Sequence, residues 1–271
     1  MNRFLQLFRL GNGLMGIAGV LASAVIASGL GIGDHVQALL LSFLVVIAFI
    51  AGGNSINDYV DRDIDVAAHP ERPIPSGRMK PETALYVGCS ALGLSLALSL
   101  LLWDVLSTSI VIAACTLMLA YELVLKQRGF VGNLTIGLLT GMVFLLGGAV
   151  VGNVEGNYIV AAMAFLVSVG REISKDIEDM DSDRGRSTLP MRVGKGRAGA
   201  LAAAFFVSGP VLSLWPMYVG TFGYLYFTVL IADAIFIYAA LILFKDPHRA
   251  QKYAKYAMLV ALAAFILGAI S

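Results

Sequence analysis

The sequence predicts an all-α integral membrane protein with nine transmembrane helices. Hydrophobic residues make up 58% of the 271 residues and charged residues only 14%, whereas soluble domains carry about half apolar and about a quarter charged residues. The mean hydropathy is +0.82. Because a spanning helix needs about 20 apolar residues, we divide the chain into nine predicted spans. They cover residues 10–30, 36–56, 83–102, 105–124, 131–151, 157–173, 198–219, 222–244 and 255–270.

The distribution of basic residues supports this count. All 19 Lys and Arg residues precede the first span or lie in or at the edges of the second–third, fourth–fifth, sixth–seventh and eighth–ninth connections. The opposite connections carry only Asp34, His35, Asp104 and Glu155. By the positive-inside rule, we predict a multi-pass protein of the cell membrane whose N-terminus and long loops are cytoplasmic and whose C-terminus is outside.

Two acidic stretches with the same spacing follow the second and sixth spans. Counted from the first Asp of each stretch, both sets of aspartates fall at offsets 0, 3, 5 and 7. The sets are Asp58, Asp61, Asp63 and Asp65, and Asp176, Asp179, Asp181 and Asp183. Repeats in membrane proteins often meet at a shared site. We therefore predict a single domain, residues 1–271, whose internal repeat places residues 54–82 and 171–197 together.

The spacing predicts two acidic helix faces. At about 100° per residue, offsets 0, 3 and 7 share one face and offset 5 points away. We therefore expect Asp63 and Asp181 to be solvated. A single acidic cluster would be explained as a solvated loop, but two with identical spacing favour a site. Mg²⁺ is typically held by one or two carboxylates and by phosphate oxygens of a substrate, so we predict two Mg²⁺ ions bridged by a diphosphate.

The metal and substrate residues follow from these faces. The predicted metal ligands are Asn57, Asp58, Asp61, Asp65, Asp176, Asp179 and Asp183, of which Asp61 and Asp179 are also predicted to be catalytic. Neighbouring basic and amide side chains are expected to bind phosphate oxygens. These substrate-binding candidates are Asn54, Asn57, Arg72, Arg171, Lys175 and Arg186.

Four segments resemble the UbiA superfamily of membrane prenyltransferases. "NDYVDRDID" (57–65) and "DIEDMDSD" (176–183) resemble its two aspartate motifs, and "RPIPSG" (72–77) and "YELVLK" (121–126) resemble two further signatures. The resemblance implies that nine helices surround a central cavity beneath a cytoplasmic polar cap. It also adds Tyr121 and Lys126 to the catalytic candidates, with Lys126 binding substrate as well.

The resemblance also implies Mg²⁺-dependent transfer of a prenyl group from its diphosphate to an acceptor. "ERPIPSG" and "REISKDIEDMDSDR" are most similar to archaeal digeranylgeranylglyceryl phosphate synthases, which add a second geranylgeranyl chain to geranylgeranylglyceryl phosphate in ether-lipid synthesis. The expected partners are a prenyl diphosphate donor, a hydrophobic acceptor (a glyceryl phosphate lipid is favoured) and membrane lipid. Nucleic acid is not expected, and the oligomeric state stays open.

Three other functions fit parts of this pattern. Prenylation of an aromatic acceptor, in quinone, chlorophyll or haem synthesis, would use the same acidic motifs. A cation-coupled transporter would also have repeats and intramembrane acids, although these acids cluster at one membrane face. A membrane phosphohydrolase or phosphatidyltransferase would use similar metal chemistry but would cleave a P–O bond.

Two further features are predicted to be structural. The glycines in "GLLTGMVFLLGGAVVG" (137–152) are expected to allow close helix contacts. Asp233 lies alone inside the eighth predicted span. Intramembrane carboxylates are candidates for function, but we expect an inward hydrogen bond for this one.

Overall fold

The structure is a computed structural model that describes residues 3–181 and 187–271, and these residues form helices and turns without strands. Each of the nine predicted spans overlaps one long α-helix of the described residues, and in the eighth span 3₁₀ turns at Tyr224–Thr228 precede the α-helix. The α-helices are α1 (Arg3–Phe8), α2 (Leu10–Ser28), α3 (Val36–Val60), α4 (Arg62–Ala68), α5 (Pro81–Leu100), α6 (Val105–Leu123), α7 (Phe130–Val150), α8 (Tyr158–Glu178), α9 (Leu189–Val193), α10 (Lys195–Val219), α11 (Val229–Ile242) and α12 (Pro247–Ile270).

Seven continuous helical stretches of the described chain are long and apolar enough to cross a bilayer. The first, Leu10–Val60, is 51 residues long and contains both α2 and α3, joined by 3₁₀ turns at Gly29–His35. α8 is not among these apolar stretches, because its last turns carry Arg171, Glu172 and Lys175. The protein is therefore a multi-pass membrane protein, and the number of nine crossings stays a prediction.

The long helices pack in two groups, each with its own hydrophobic core. One core joins α2, α3, α5, α6 and α7, and the other joins α8, α10, α11 and α12. In both groups the helix with the acidic motif packs along the next long helix, α3 on α5 and α8 on α10, and α7 bridges the groups by contacting α2 and α8. Each group therefore carries one acidic motif. The single domain stays a prediction.

Glycines of α7 lie where its neighbours approach most closely. A Cβ atom added at Gly141 would stand 2.9 Å from the carbonyl oxygen of Ala161 on α8. One added at Gly147 would stand 2.6 Å from the carbonyl oxygen of Val20 on α2. Close backbone approach through small residues is a common way for membrane helices to associate. The expected close helix contacts are confirmed.

The other structural expectation concerned Asp233, which is buried on α11. Its Oδ2 accepts a hydrogen bond of 2.7 Å from the hydroxyl of Ser213 on α10. The hydroxyl of Tyr226 in turn donates to the Ser213 carbonyl at 3.0 Å. The inward hydrogen bond expected for Asp233 is therefore confirmed, and it ties α11 to α10. Cys89 and Cys115 are both free thiols.

Asp104 caps α6 at the end of the molecule opposite the acidic motifs. Its Oδ2 accepts a hydrogen bond of 2.6 Å from the backbone N–H of Ser107. Burial alone would raise the pKa of Asp104, but hydrogen bonds from Ser107 and from the backbone N–H of Leu106 outweigh it and lower the pKa. Because the folded pKa is the lower one, the cap's contribution to stability is complete above the unfolded pKa of about 3.9 and is lost as pH falls below it.

We predict opposite effects on stability for two Gly→Ala substitutions in helices. Gly147→Ala should destabilise by about 1–3 kcal/mol, because the new methyl group would collide with the backbone of α2. Gly93→Ala on α5 should be neutral or stabilising by up to about 1 kcal/mol, because alanine favours helix and no atom lies within 4 Å of the added Cβ. Thermal unfolding of both variants in the same detergent tests this. Equal shifts in Tm would contradict the close approach of α2 and α7.

Candidate active site

A cavity of about 350 Å³ lies between the two acidic motifs. Both motifs contribute to its wall, together with α6, the turn that follows it, and α7. The polar side chains of the wall are Arg9, Asn54, Asn57, Asp61, Asp65, His69, Arg72, Tyr121, Glu122, Lys126, Asn133, Glu172, Lys175, Asp176, Asp179 and Thr188. The two acidic stretches therefore meet at one cavity.

The first acidic face forms where α3 passes into α4. The helical hydrogen bonds continue across the junction, since the Asp65 N–H donates to the Asp61 carbonyl at 2.9 Å. Asp58, Asp61 and Asp65 are 2%, 7% and 3% exposed, whereas the side chain of Asp63 is 86% exposed. The predicted helical face is confirmed for this motif, because the three aspartates are buried and Asp63 points to solvent.

Each buried carboxylate of this face contacts a different basic side chain. Arg9 pairs with Asp58, Lys126 pairs with Asp61 at 2.6 Å, and Arg72 pairs with Asp65 at 2.5 Å. The Arg72 guanidinium also lies 3.6 Å from Asp58. A buried carboxylate is tolerated only when a partner compensates its lost hydration. Three separate parts of the chain supply these partners, so the acidic face holds them together.

Lys126 is the centre of a network that includes Glu122, a residue that the sequence analysis missed. Its ammonium donates to Glu122 at 3.1 Å as well as to Asp61, and Asn57 donates to the same Glu122 carboxylate at 3.1 Å. The Lys126 Nζ also lies 5.9 Å from the centre of the Tyr121 ring. The i, i+4 spacing of Glu122 and Lys126 is the signal that could have revealed this pair.

The second acidic face is formed by the end of α8. Asp176, Asp179, Lys175 and Glu172 line the cavity there. Asp176 accepts a hydrogen bond of 2.8 Å from the Nδ2 of Asn133 on α7. The sequence analysis missed Asn133 too, although a polar residue in the apolar stretch "FVGNLTIGLL" (130–139) was a usable signal.

Most of the predicted site residues line the cavity, with exceptions. Asp58 lies behind the guanidinium groups of Arg9 and Arg72 and is not part of the wall. Arg171, predicted to bind substrate, is also outside the wall, because its guanidinium turns to Glu172 at 2.6 Å. The predictions for the side chain of Asp181 and for Asp183 and Arg186 concern positions outside the described residues.

The helix break at Arg9 sets one edge of the cavity. Arg9 separates α1 from α2 and has the left-handed backbone angles φ 50° and ψ 63°, which non-glycine residues rarely adopt. On one side, the buried Leu7 packs against Ile74 and Met79. On the other, the Nδ2 of Asn54 donates to the Phe8 carbonyl at 2.9 Å. Contacts on both sides thus fix the break that points Arg9 at Asp58.

The donor atoms of the cavity fit Mg²⁺ better than a metal held by protein ligands alone. No group of three or more His, Cys, Asp or Glu side chains in the described ranges is close enough to hold a metal ion. The two motifs instead present carboxylate and amide oxygens from opposite sides. Mg²⁺ uses one or two carboxylates, several waters and phosphate oxygens of its substrate, so this arrangement fits a metal that arrives with a phosphate ligand.

Comparison with known proteins identifies the family. Residues 16–266 match the UbiA prenyltransferase family. The chain belongs to this family. It is 38% identical to the digeranylgeranylglyceryl phosphate synthase of Thermococcus kodakarensis, and the alignment covers 98% of both chains. The predicted family and the predicted enzyme class, a prenyltransferase, are confirmed.

Solved structures share the fold of this UbiA prenyltransferase. One of digeranylgeranylglyceryl phosphate synthase superimposes with a TM-score of 0.84 at 35% identity, covering 99% of this chain and 98% of the other. A UbiA homolog from Archaeoglobus fulgidus, bound to DMAPP (dimethylallyl diphosphate) and Mg²⁺, superimposes with a TM-score of 0.71 at 17% identity and covers 98% and 99% of the two chains. The helical arrangement is therefore retained where little sequence identity remains.

Two neighbouring arginines of the prenyltransferase should differ in their effect on stability. Arg72→Ala leaves the buried Asp65 without its guanidinium and should destabilise by about 3–5 kcal/mol. Arg62→Ala removes only a 3.8 Å contact with the exposed Asp63 and should cost less than about 1 kcal/mol. Thermal unfolding in detergent at neutral pH measures both. Similar losses of Tm would show that Asp65 does not depend on Arg72.

Proposed function

We propose that this prenyltransferase transfers a geranylgeranyl group from geranylgeranyl diphosphate to the free hydroxyl of geranylgeranylglyceryl phosphate, using Mg²⁺. The observation that carries the proposal is the single cavity formed by two acidic motifs. It occurs in a chain with 38% identity over 98% of the synthase of Thermococcus kodakarensis. The product is the lipid core of an ether phospholipid.

The metal ligands we propose are the cavity-lining oxygens of the two motifs. Asp61 and Asp65 supply them from the first motif, and Asp176 and Asp179 from the second. Asn57 contributes its amide beside Asp61, and Asp183 belongs to the set by its spacing in the sequence. Asp58, closed off by Arg9 and Arg72, acts by orienting those two guanidinium groups. Two opposed ligand sets support two ions with the diphosphate between them.

Bound Mg²⁺ neutralises the negative charge that develops on the departing diphosphate. The A. fulgidus homolog bound to DMAPP and Mg²⁺ supports this cofactor. On the protein side, Arg72, Lys126 and Lys175 line the cavity and bind phosphate oxygens, with Asn54 as an amide donor. The guanidinium of Arg171 is paired with Glu172, so Arg171 acts by orienting the carboxylate of Glu172. Arg186 is a further phosphate contact by its position in the sequence.

The reaction exchanges one C–O bond for another. The allylic C–O bond of the donor breaks, and diphosphate leaves with the electron pair. The acceptor hydroxyl then forms a C–O bond with the allylic carbon, and its proton passes to the departed diphosphate. The ring of Tyr121, in the wall beside Lys126, stabilises the positive charge on the allylic group through its π face. Met118, Ile136 and Ile64 add apolar wall, which keeps water from capturing the cation.

We propose a fixed orientation of this site in the membrane. Both acidic motifs and the basic connections lie on the side that the positive-inside rule assigns to the cytoplasm. The N-terminus is then cytoplasmic and the C-terminus outside, with nine helices around the cavity and the motif loops as its cap. Long prenyl chains extend from this cap into the apolar interior, while the diphosphate stays at the cytoplasmic end.

Alanine substitutions at the buried Asp61 and at the exposed Asp63 should have different effects on prenyl transfer. Asp61→Ala should lower kcat/KM by about 100-fold or more, because it removes a carboxylate from the proposed metal site. Asp63→Ala should leave transfer within about threefold of wild type, because that side chain is solvated. Assays with radiolabelled geranylgeranyl diphosphate in detergent, at saturating Mg²⁺, measure both. Equal losses would contradict the assignment of the buried face to the metal.

A comparison of acceptors tests the proposed function. The proposal predicts that geranylgeranylglyceryl phosphate is used with a higher kcat/KM than its dephosphorylated form or hydroxybenzoate, at fixed donor and Mg²⁺. A charge-assisted phosphate contact contributes about 1.5–3 kcal/mol, or about one to two orders of magnitude in kcat/KM. Faster transfer to hydroxybenzoate would place the enzyme among the aromatic prenyltransferases. No transfer to any acceptor, with ¹⁸O from water entering the phosphate, would overturn prenyl transfer in favour of P–O hydrolysis.

A further inference from the structure

Asn133 is a buried amide that the proposed mechanism does not yet use. It lies on α7, is 6% exposed and belongs to the wall of the cavity. Its Nδ2 donates to the Oδ2 of Asp176 at 2.8 Å. Its Oδ1, by contrast, is buried and has no hydrogen-bond partner in the parts of the chain that the structure describes.

The hydrogen bond to Asp176 fixes the orientation of the Asn133 amide group. A carboxylate accepts hydrogen bonds and repels an amide oxygen, so the nitrogen of Asn133 faces Asp176 and the oxygen faces away from that bond. Buried polar atoms in folded proteins nearly always have a partner. A ligand of the cavity that offers a donor or a positive charge would supply it.

The charges around Asn133 favour a cation over a neutral donor. Asp176, Asp179 and Glu172 line the cavity together with Asn133, against one basic side chain from the same helix end, Lys175. An excess of carboxylates raises the local concentration of cations. An amide oxygen is a hard ligand of the type that Mg²⁺ binds.

The first acidic motif has a comparable asparagine, Asn57. There the Nδ2 of Asn57 also donates to a motif aspartate, Asp61 at 3.4 Å. The Oδ1 of Asn57, however, accepts from the guanidinium of Arg9 at 3.3 Å. Each acidic motif thus has one asparagine amide bound to an aspartate. In the first motif a cationic side chain satisfies the amide oxygen, and in the second the described residues offer no such side chain.

We propose that Asn133 is a ligand of the Mg²⁺ ion at the second acidic motif, binding it through Oδ1 while its N–H group holds Asp176 in place. The assignment rests on the Mg²⁺-dependent transfer proposed above. It makes α7, which carries no acidic motif, a third contributor to the metal site.

Mn²⁺ binding measured by electron paramagnetic resonance tests the assignment independently of turnover. The full-length protein in detergent is titrated with Mn²⁺ in the presence of geranylgeranyl thiodiphosphate, a slowly reacting donor analogue. Asn133→Leu removes both the amide oxygen and the amide N–H donor, and it should weaken Mn²⁺ binding by about 10–100-fold. Asn133→Asp loses the N–H donor but retains an oxygen at this position. It should bind Mn²⁺ about tenfold more tightly than the leucine variant.

Asn157 offers a matched control far from the acidic motifs. It is fully buried, its Oδ1 also lacks a hydrogen-bond partner among the described residues, and its Nδ2 donates to the carbonyl of Ser23 at 2.9 Å. Asn157→Leu should leave the Mn²⁺ affinity of the folded protein unchanged. Size-exclusion chromatography and circular dichroism show whether each variant is folded.

The possible outcomes separate this assignment from the function on which it rests. Wild-type affinity in Asn133→Leu would overturn the assignment alone. Equally weak binding in Asn133→Leu and Asn133→Asp, with both folded, would also overturn it, because Asn133 would then act only as a donor to Asp176. Absence of Mn²⁺ binding by the wild type would overturn both the assignment and the proposed function. A leucine variant that unfolds leaves the aspartate variant to decide, since loss of Mn²⁺ binding there rejects the ligand role.

Discussion

The burial of three carboxylates where α3 passes into α4 is the constraint on which the rest of the site depends. Asp58, Asp61 and Asp65 are at most 7% exposed, and unpaired charges in such a place would cost several kcal/mol each. Their partners come from the break between α1 and α2, from the turn after α6 and from the segment before α5. The need to pair these charges therefore brings three separate segments to one place, two of them 49 and 65 residues from their aspartates. The cavity is the space that remains between this assembly and the end of α8.

The same pairs suit the metal diphosphate that we propose as the ligand of the cavity. A carboxylate bonded to an arginine keeps lone pairs that a metal ion can use, because its oxygens accept several contacts. The guanidinium keeps donors for phosphate, because it has five N–H groups in a planar fork. Arg72 and Lys126 lie in the cavity wall beside their aspartates. A metal diphosphate can thus meet anionic and cationic groups on the same wall without a large rearrangement of the chain.

Local spacing predicted much of this arrangement, and long-range packing explains what it did not. The offsets of the aspartates placed Asp63 outside and its three neighbours inside, because helix geometry alone decides which side chains share a face. Asp58 was predicted to be a metal ligand, but Arg9 and Arg72 enclose it, and local spacing does not reveal the contact with Arg9, which is 49 residues away. Asn133 was missed because its partner Asp176 is 43 residues distant. Glu122 was within reach of a sequence rule, but its contact with Asn57 spans 65 residues and follows only from the packing of α3 against α6.

The structure also indicates which parts of the protein can vary without loss of the fold. A homolog with 17% identity retains the helical arrangement with a TM-score of 0.71, because spanning helices satisfy their own backbone hydrogen bonds whatever their side chains. The segment between α4 and α5 is different, since its internal backbone hydrogen bonds are those of turns, such as the one from the Met79 N–H to the Pro73 carbonyl at 2.9 Å, and contacts with α1 add to them. The carbonyl of Glu71 accepts hydrogen bonds from Gln6 and Arg78, and Leu7 is buried against Ile74. α1 and this segment therefore form one unit, and Arg9 at the end of α1 and Arg72 in the segment both reach Asp58. A change at either arginine would leave Asp58 with one cationic partner and would alter the charge balance of the cavity, while the hydrophobic cores that hold the long helices together contain neither residue.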